Sequence, residues 1–194
     1  RQVPSVTTVL SSTKDMTHLH AWRKRVGAEK AQQITTESAN IGTVMHRSLE
    51  KHVKGEDRTP GSNLIQQKGH QMANVIIDNG LNNVSEVWGS EVSLYYPELY
   101  AGTTDLVGVY KGDPAIMDFK QARKLKKKEW VEDYYLQLVA YAEAHNKQYD
   151  TQIKNGRIFI CTQANEYQTF EIDNYDYWVG KWYAKLEQYY KSIL

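Results

Sequence analysis

Hydrophobic positions recur along this chain with two different periods. Over residues 38–54, Ile41, Val44, Met45, Ser48, Leu49 and Val53 keep to one face of a 3.6-residue repeat, which predicts an amphipathic helix. Leu64, Ile65, Met72, Val75 and Ile76 mark another, capped by Ser62 and ended by Asn79-Gly80. Residues 17–31 predict a more polar helix, preceded by a β-rich lead-in over 3–10. From residue 84 the pattern changes to short runs rich in β-branched and aromatic side chains. These predict strands over 84–95, 101–110 and 114–119. A long helix over 129–146 follows, then a hairpin of strands 157–162 and 167–172, then a closing helix over 175–192. Helices, three strands, a helix, two strands and a helix predict an α/β (α+β) chain: a mixed central sheet flanked by helices.

Length and composition narrow the class. At 194 residues one domain with a sizeable core is expected, mainly helical over 1–80 and sheet-centred over 81–194. No run is long and apolar enough to predict a membrane span. A single cysteine, Cys161, forbids an internal disulfide and argues against a cysteine-ligated zinc or iron–sulfur cluster; its apolar surroundings predict a buried thiol. The chain begins at Arg1 rather than methionine, which leaves room for a removed leading segment. A cytoplasmic location is expected, or a mitochondrial one if such a segment existed. Net charge is only +1, but the bases are unevenly placed. Lys120, Arg123, Lys124, Lys126, Lys127 and Lys128 follow one another without an acid.

That basic run follows the most chemically suggestive stretch of the chain. Residues 114–120 read as a buried strand ending in Asp118-x-Lys120, with Lys111-Gly112-Asp113 as the turn from the strand that begins near Asp105. A hairpin of this length brings Asp105 and Asp118 to the same end, and alternation puts Asp118 and Lys120 on one face. Two convergent carboxylates can hold a hard divalent cation, and a lysine beside them can orient a water and offset phosphate charge. His46, at the flank of its helix's apolar stripe, is a candidate further ligand, better suited to Mn²⁺ than to Mg²⁺. Gln137 and Tyr141 share one face of the long helix. Glu91 reads as an exposed strand carboxylate. Tyr175, Trp178, Trp182 and Tyr189 form a core stripe with Leu186, whereas Tyr177, Tyr183 and Tyr190 fall outside it. Trp22, beside Arg23, has no apolar stripe around it and is a candidate for base stacking.

The set His46, Glu91, Gly102-x-x-Asp105, Asp118-x-Lys120 and Gln137-x-x-x-Tyr141 resembles the PD-(D/E)xK nuclease superfamily, in particular its RecB-type branch. The stretches 4–7 and 42–50 further resemble the mitochondrial genome maintenance exonucleases and small phage or bacterial exonucleases. The first proline-aspartate of the superfamily name is replaced by Thr104-Asp105. The resemblance implies a restriction-endonuclease-like core and a Mg²⁺ or Mn²⁺ ion held by Asp105, Asp118, the Phe119 carbonyl and His46. It implies Lys120 at the attacking water, with Gln137 and Tyr141 steadying the site. Expected function is exonucleolytic cleavage of single-stranded DNA from a free end by a monomer. Arg123, Lys124, Lys126, Lys127, Lys128, Trp22 and Arg23 are expected on the DNA. Two N-terminal helices arching over the site would admit only a single strand. An endonuclease of the same superfamily and a catalytically weak DNA-binding module are the alternatives. A nucleotide-binding enzyme would need a glycine-rich phosphate loop, which the chain lacks.

Overall fold

A computed structural model describes residues 2–194. Five strands form one mixed sheet in sequential order: β1 (Val84–Tyr96), β2 (Tyr100–Tyr110), β3 (Asp113–Ala122), β4 (Asn155–Thr162) and β5 (Tyr167–Glu171). All neighbours are antiparallel except β3 and β4, which are parallel. A parallel pair needs a crossover, and α5 (Glu132–Tyr149) supplies it. The β2–β3 turn is tight: Lys111 (φ 47°) and Gly112 (φ 89°) both take left-handed conformations, as a type I′ hairpin requires.

The middle of the sheet is covered on both faces, so Ala115-Ile116-Met117 in β3 and Ile158-Phe159-Ile160-Cys161 in β4 read as apolar runs, whereas β1 is largely exposed. Alternate residues feed two cores. Val107, Ile116, Ile158 and Ile160 face α5, α1 (Val6–Ser12) and α6 (Tyr175–Ser192), where Tyr135, Leu138 and Trp182 are buried. Leu106, Met117, Phe119 and Phe159 face α3 (Ala28–Lys54) and α4 (Leu64–Asn79), meeting Ile41, Met45, Leu49, Met72 and Ile76. The predicted mixed sheet flanked by helices is the observed architecture.

Four boundaries differ from the sequence reading. The lead-in is a helix, because Ser5 caps it by accepting from the Thr8 amide (3.1 Å) and Val6, Val9 and Leu10 bury one side; only Ser5 retains a β-bridge, to Ala101. Residues 17–31 are divided at Gly27 (φ 97°), so α2 (Thr17–Val26) ends there and α3 starts ten residues earlier than expected. Ala31 is the one buried residue in the first half of α3, which is why the apolar period fails to mark it. Asn63, not Ser62, caps α4, in a reciprocal capping box with Gln66. Lys128–Trp130 forms a 3₁₀ turn, and α5 begins only at Glu132.

Candidate active site

The β2–β3 ladder runs from Tyr110↔Asp113 to Leu106↔Met117 and stops, while β3 continues beside β4 as far as Ala122. Where the strands part, backbone amides lose their ladder partners, and the two carboxylates take them. Asp118 Oδ1 accepts from the Asp105 amide (3.0 Å) and the Thr104 hydroxyl (3.0 Å), and Asp105 Oδ2 accepts from the Phe119 amide (2.8 Å). Each aspartate therefore stitches itself to the other's strand, and both are locked at the fork of the sheet.

Lys120 emerges two residues on. Its Nζ donates to Gln137 Oε1 (2.6 Å), lies 3.9 Å from Asp118 Oδ2 and sits 5.0 Å from the centre of the Tyr134 ring. Gln137 thus steers the ammonium from α5. Tyr141, one turn further along, is 3 % exposed and packs on Gly102, where an added Cβ would lie 2.7 Å from Tyr141 Cε1. Burial, and then the Asp118 and Asp105 charges, push its phenol far above the ordinary range.

His46 comes in from α3. Nδ1 meets the Gly42 carbonyl (2.8 Å), and Nε2 meets the Phe119 carbonyl (2.7 Å) and Asp105 Oδ2 (3.3 Å). Carbonyl oxygens only accept, so both ring nitrogens carry protons here. Burial alone would lower this imidazole's pKa, but the Asp105 hydrogen bond and charge, with the two carbonyls, raise it to about 9. The aspartates split in the opposite sense. Asp118 is pushed up by burial and then by the Asp105 charge, whereas at Asp105 burial is overcome by the His46 hydrogen bond and charge together with the Phe119 amide and Lys120, which hold it down. Such a split between neighbouring carboxylates is characteristic of functional sites.

Among the described residues, no three His, Cys, Asp or Glu side chains already close into a metal-binding group. His46 Nε2 lies between the Asp105 carboxylate and the Phe119 carbonyl. The donor chemistry nonetheless fits a hard divalent cation: two carboxylates, a backbone carbonyl and an imidazole that could ligate once deprotonated.

His46, Asp105, Phe119 and Lys120 open into a cleft of about 620 Å³ between α3 and the sheet, also lined by Glu50, Glu91, Arg47 and Gln121. Glu91 is solvent-exposed, as its strand pattern predicts, yet it sits between the Ser90↔Leu106 and Val92↔Thr104 pairs, opposite Asp105. Its backbone holds φ 51°, a strained conformation for a non-glycine. Burial and then the Asp105 and Glu50 charges raise its pKa. Strand register was the signal that could have found it. Glu50 follows His46 by four residues, and helical spacing alone puts them on one face.

The basic run separates into unequal parts. Arg123 and Lys124 are exposed just beyond β3, and Lys127 lies 5.1 Å from the centre of the exposed Trp130 ring. Lys126 is half-buried, its backbone clamped by the Gln168 amide in both directions, and Lys128 is paired with Asp173. Trp22 and Arg23 are half-buried on α2, which packs against α3. Two aromatics expected outside the core stripe are bound into the fold: the Tyr183 hydroxyl donates to Glu143 and that of Tyr190 to the Leu99 carbonyl (2.5 Å). Cys161 is buried, as its apolar run predicts.

No family model matches the chain. Mitochondrial genome maintenance exonuclease 1 of Mus musculus is 28% identical over 96% of the chain, and that of Homo sapiens 26% over 96%. The chain spans 59% and 58% of the length of these two relatives. In fold, an exonuclease-designated protein of Eubacterium rectale superposes with a TM-score of 0.59 at 11% identity, over 79% of this chain and 66% of its own. In sequence the chain resembles mitochondrial genome maintenance exonuclease 1 and in fold an exonuclease, a likeness consistent with the PD-(D/E)xK nuclease superfamily.

Proposed function

We propose that this chain is a divalent-metal-dependent DNA exonuclease that hydrolyses phosphodiester bonds in single-stranded DNA from a free end. The observation that carries the reading is the fork at Asp105 and Asp118. Two carboxylates, the Phe119 carbonyl and His46 converge there beside a lysine whose ammonium is held by Gln137. The likeness to two proteins named as exonucleases supports the same class of reaction.

Asp105, Asp118, the Phe119 carbonyl and His46 would hold Mg²⁺ or Mn²⁺. Bound there, the ion would supply Lewis-acid stabilisation of the phosphoryl oxygen and a lowered pKa for the attacking water. Lys120, aimed by Gln137, orients that water and balances charge gathering on the phosphate. Tyr141 walls the aspartates from α5 and preserves their spacing. Arg123, Lys124 and Lys127 guide the strand electrostatically, with Trp130 as an exposed face for a base.

The test uses end-labelled linear single strands, circular single strands and blunt duplexes, each with Mg²⁺ or Mn²⁺ and with chelator, and sizes products over time. Mononucleotides or short oligonucleotides released from linear single strands only, and only with metal, are expected. Equal cleavage of the circle would exclude end-dependence, and preferred cleavage of the duplex would overturn the choice of single strands.

A further inference from the structure

Helix α3 borders two hollows. His46 and Glu50 line the cleft; Ser48 and Lys51 line a second pocket of about 240 Å³, closed by the 55–63 loop and α4; Arg47 lines both. The second pocket's walls carry Arg47, Lys51, Arg58, Thr59 and His70. Among the described residues, none of Arg47, Lys51 and Arg58 has a carboxylate within ion-pair distance, although Lys54 on the same helix is paired with Glu50.

Arg58 is the fixed member. Its Nε donates to the Ser48 carbonyl and hydroxyl (3.2 Å each), and its Nη2 donates to the Ser48 hydroxyl (3.0 Å) and Asn74 Oδ1 (2.7 Å). These acceptors are neutral, so they orient the guanidinium without cancelling its charge, and Nη1 takes no part in them. A planar fork held by one edge is prepared to meet an oxyanion with the other. The acids around it act from further off: Asp78 reaches Arg58 only through its field, and Asp57 is engaged by the Thr59 hydroxyl. His70 is held below its ordinary pKa by burial and then by the nearby Arg58 charge.

The cleft differs in lining: Glu50, Glu91 and Asp105 stand there beside Arg47, His46 and Lys120, so a polyanion lying in it meets carboxylates that the second pocket lacks. Arg47 lines both hollows, so a strand passing from one to the other would run beside its guanidinium. We propose that the pocket between α3, the 55–63 loop and α4 binds a phosphate of the nucleic-acid strand as it continues from the cleft past Arg47. The strand as ligand rests on the nuclease reading above; the phosphate chemistry does not, and a free phosphate or a nucleoside monophosphate presents the same oxygens.

The experiment measures binding of labelled single strands of stepwise increasing length, at several salt concentrations, in an Asp118→Asn background that prevents cleavage. Lys51→Gln removes a charge from the pocket. Arg58→Lys keeps the charge and loses the fork; because Arg58 also ties the loop to α3 and α4, its far-ultraviolet dichroism is recorded alongside. Lys51→Gln is expected to weaken long strands several-fold and leave the shortest unaffected, with the slope of log affinity against log salt reduced by about 0.7, the value for one single-strand phosphate contact. The ring resonances of His70 are expected to shift when long strands bind. Equal slopes with and without Lys51, and an unmoved His70, would overturn the proposal. Movement of His70 by inorganic phosphate but not by any strand would assign the pocket to the free ion and refute the strand. Failure of every variant to bind any strand would instead remove the nuclease reading, and the inorganic phosphate titration would then decide the pocket by itself.

Discussion

Replacing Asp118 by Asn is expected to exchange function for stability. Asp118 is 4 % exposed and shares the fork with a second carboxylate. Its pKa is pushed by burial, and then by Asp105, from 3.8 to about 7. The sign follows from which state loses its proton first. Below pH 3.8 the carboxyl is protonated folded and unfolded, and contributes nothing. As pH rises towards 7 the unfolded chain ionises first, so the fold is progressively penalised, and above 7 the penalty is complete. A rise from 3.8 to about 7 corresponds to a penalty of about 4 kcal/mol. Asn retains Oδ1 for the Asp105 amide and the Thr104 hydroxyl but turns an NH₂ towards Lys120, a loss of about 1–2 kcal/mol. The metal-free variant is therefore expected to be more stable than the parent at pH 8 by about 2–3 kcal/mol, or roughly 4–12 °C in Tm for a chain of this size. The gain should fade as pH drops towards 4. Thermal and urea denaturation in chelator at pH 4.5, 6 and 8 measures this. Added Mg²⁺ or Mn²⁺ should stabilise the parent, by about 2.7 kcal/mol at a hundred times its Kd, and leave the variant unmoved. Cleavage by the variant should be abolished. A variant less stable than the parent at pH 8, or a gain independent of pH, would refute the account of the carboxylate pair.

Lys120→Ala removes the group held by Gln137 and is expected to abolish most of the cleavage rate while metal affinity, read by calorimetry, changes little; loss of metal binding with normal cleavage at high Mn²⁺ would contradict its assignment to water and phosphate. Neutralising Arg123, Lys124 and Lys127 together should weaken all single strands alike and reduce the salt slope by about 2 if all three meet phosphates. An unchanged slope would make the loop merely solvated. Gly102→Ala drives a methyl group into the Tyr141 ring and is expected to cost about 1–3 kcal/mol in denaturant titrations and to slow cleavage by displacing α5 from the aspartates. A variant as stable and as active as the parent would show that Tyr141 has room to move.

Chemistry carried by residues close together along the chain is legible from their order alone. Asp118-x-Lys120 and a short turn back to Asp105 need only the two-residue strand period and hairpin arithmetic, because an antiparallel pair translates sequence spacing directly into spatial pairing. The turn at Lys111-Gly112 carries its own conformational signature, and the strands beyond it are marked by burial on both faces. Cys161 and the Trp182–Leu186 stripe are predictable from apolar surroundings.

Other features depend on partners distant in the chain. Residues 3–10 look β-rich, yet the Ser5 cap and the contacts of Val6 and Val9 make 6–12 helical, since local propensity is weak beside tertiary burial. The first half of α3 has almost no buried face, so no hydrophobic period could reveal it. A run of lysines carries no mark of which charge is free: Asp173, 45 residues after Lys128, neutralises that one, and Gln168 clamps the backbone of Lys126. Glu91 and Glu50 enter the cleft through strand register and helix docking. The strands, the hairpin and the acidic pair are written into the order of residues, because each follows from neighbours a few places away. The parting of β2 and β3 at that pair, the reach of His46 to Phe119 across 73 residues and the place of Arg47 between two hollows are not, because those depend on how whole elements pack.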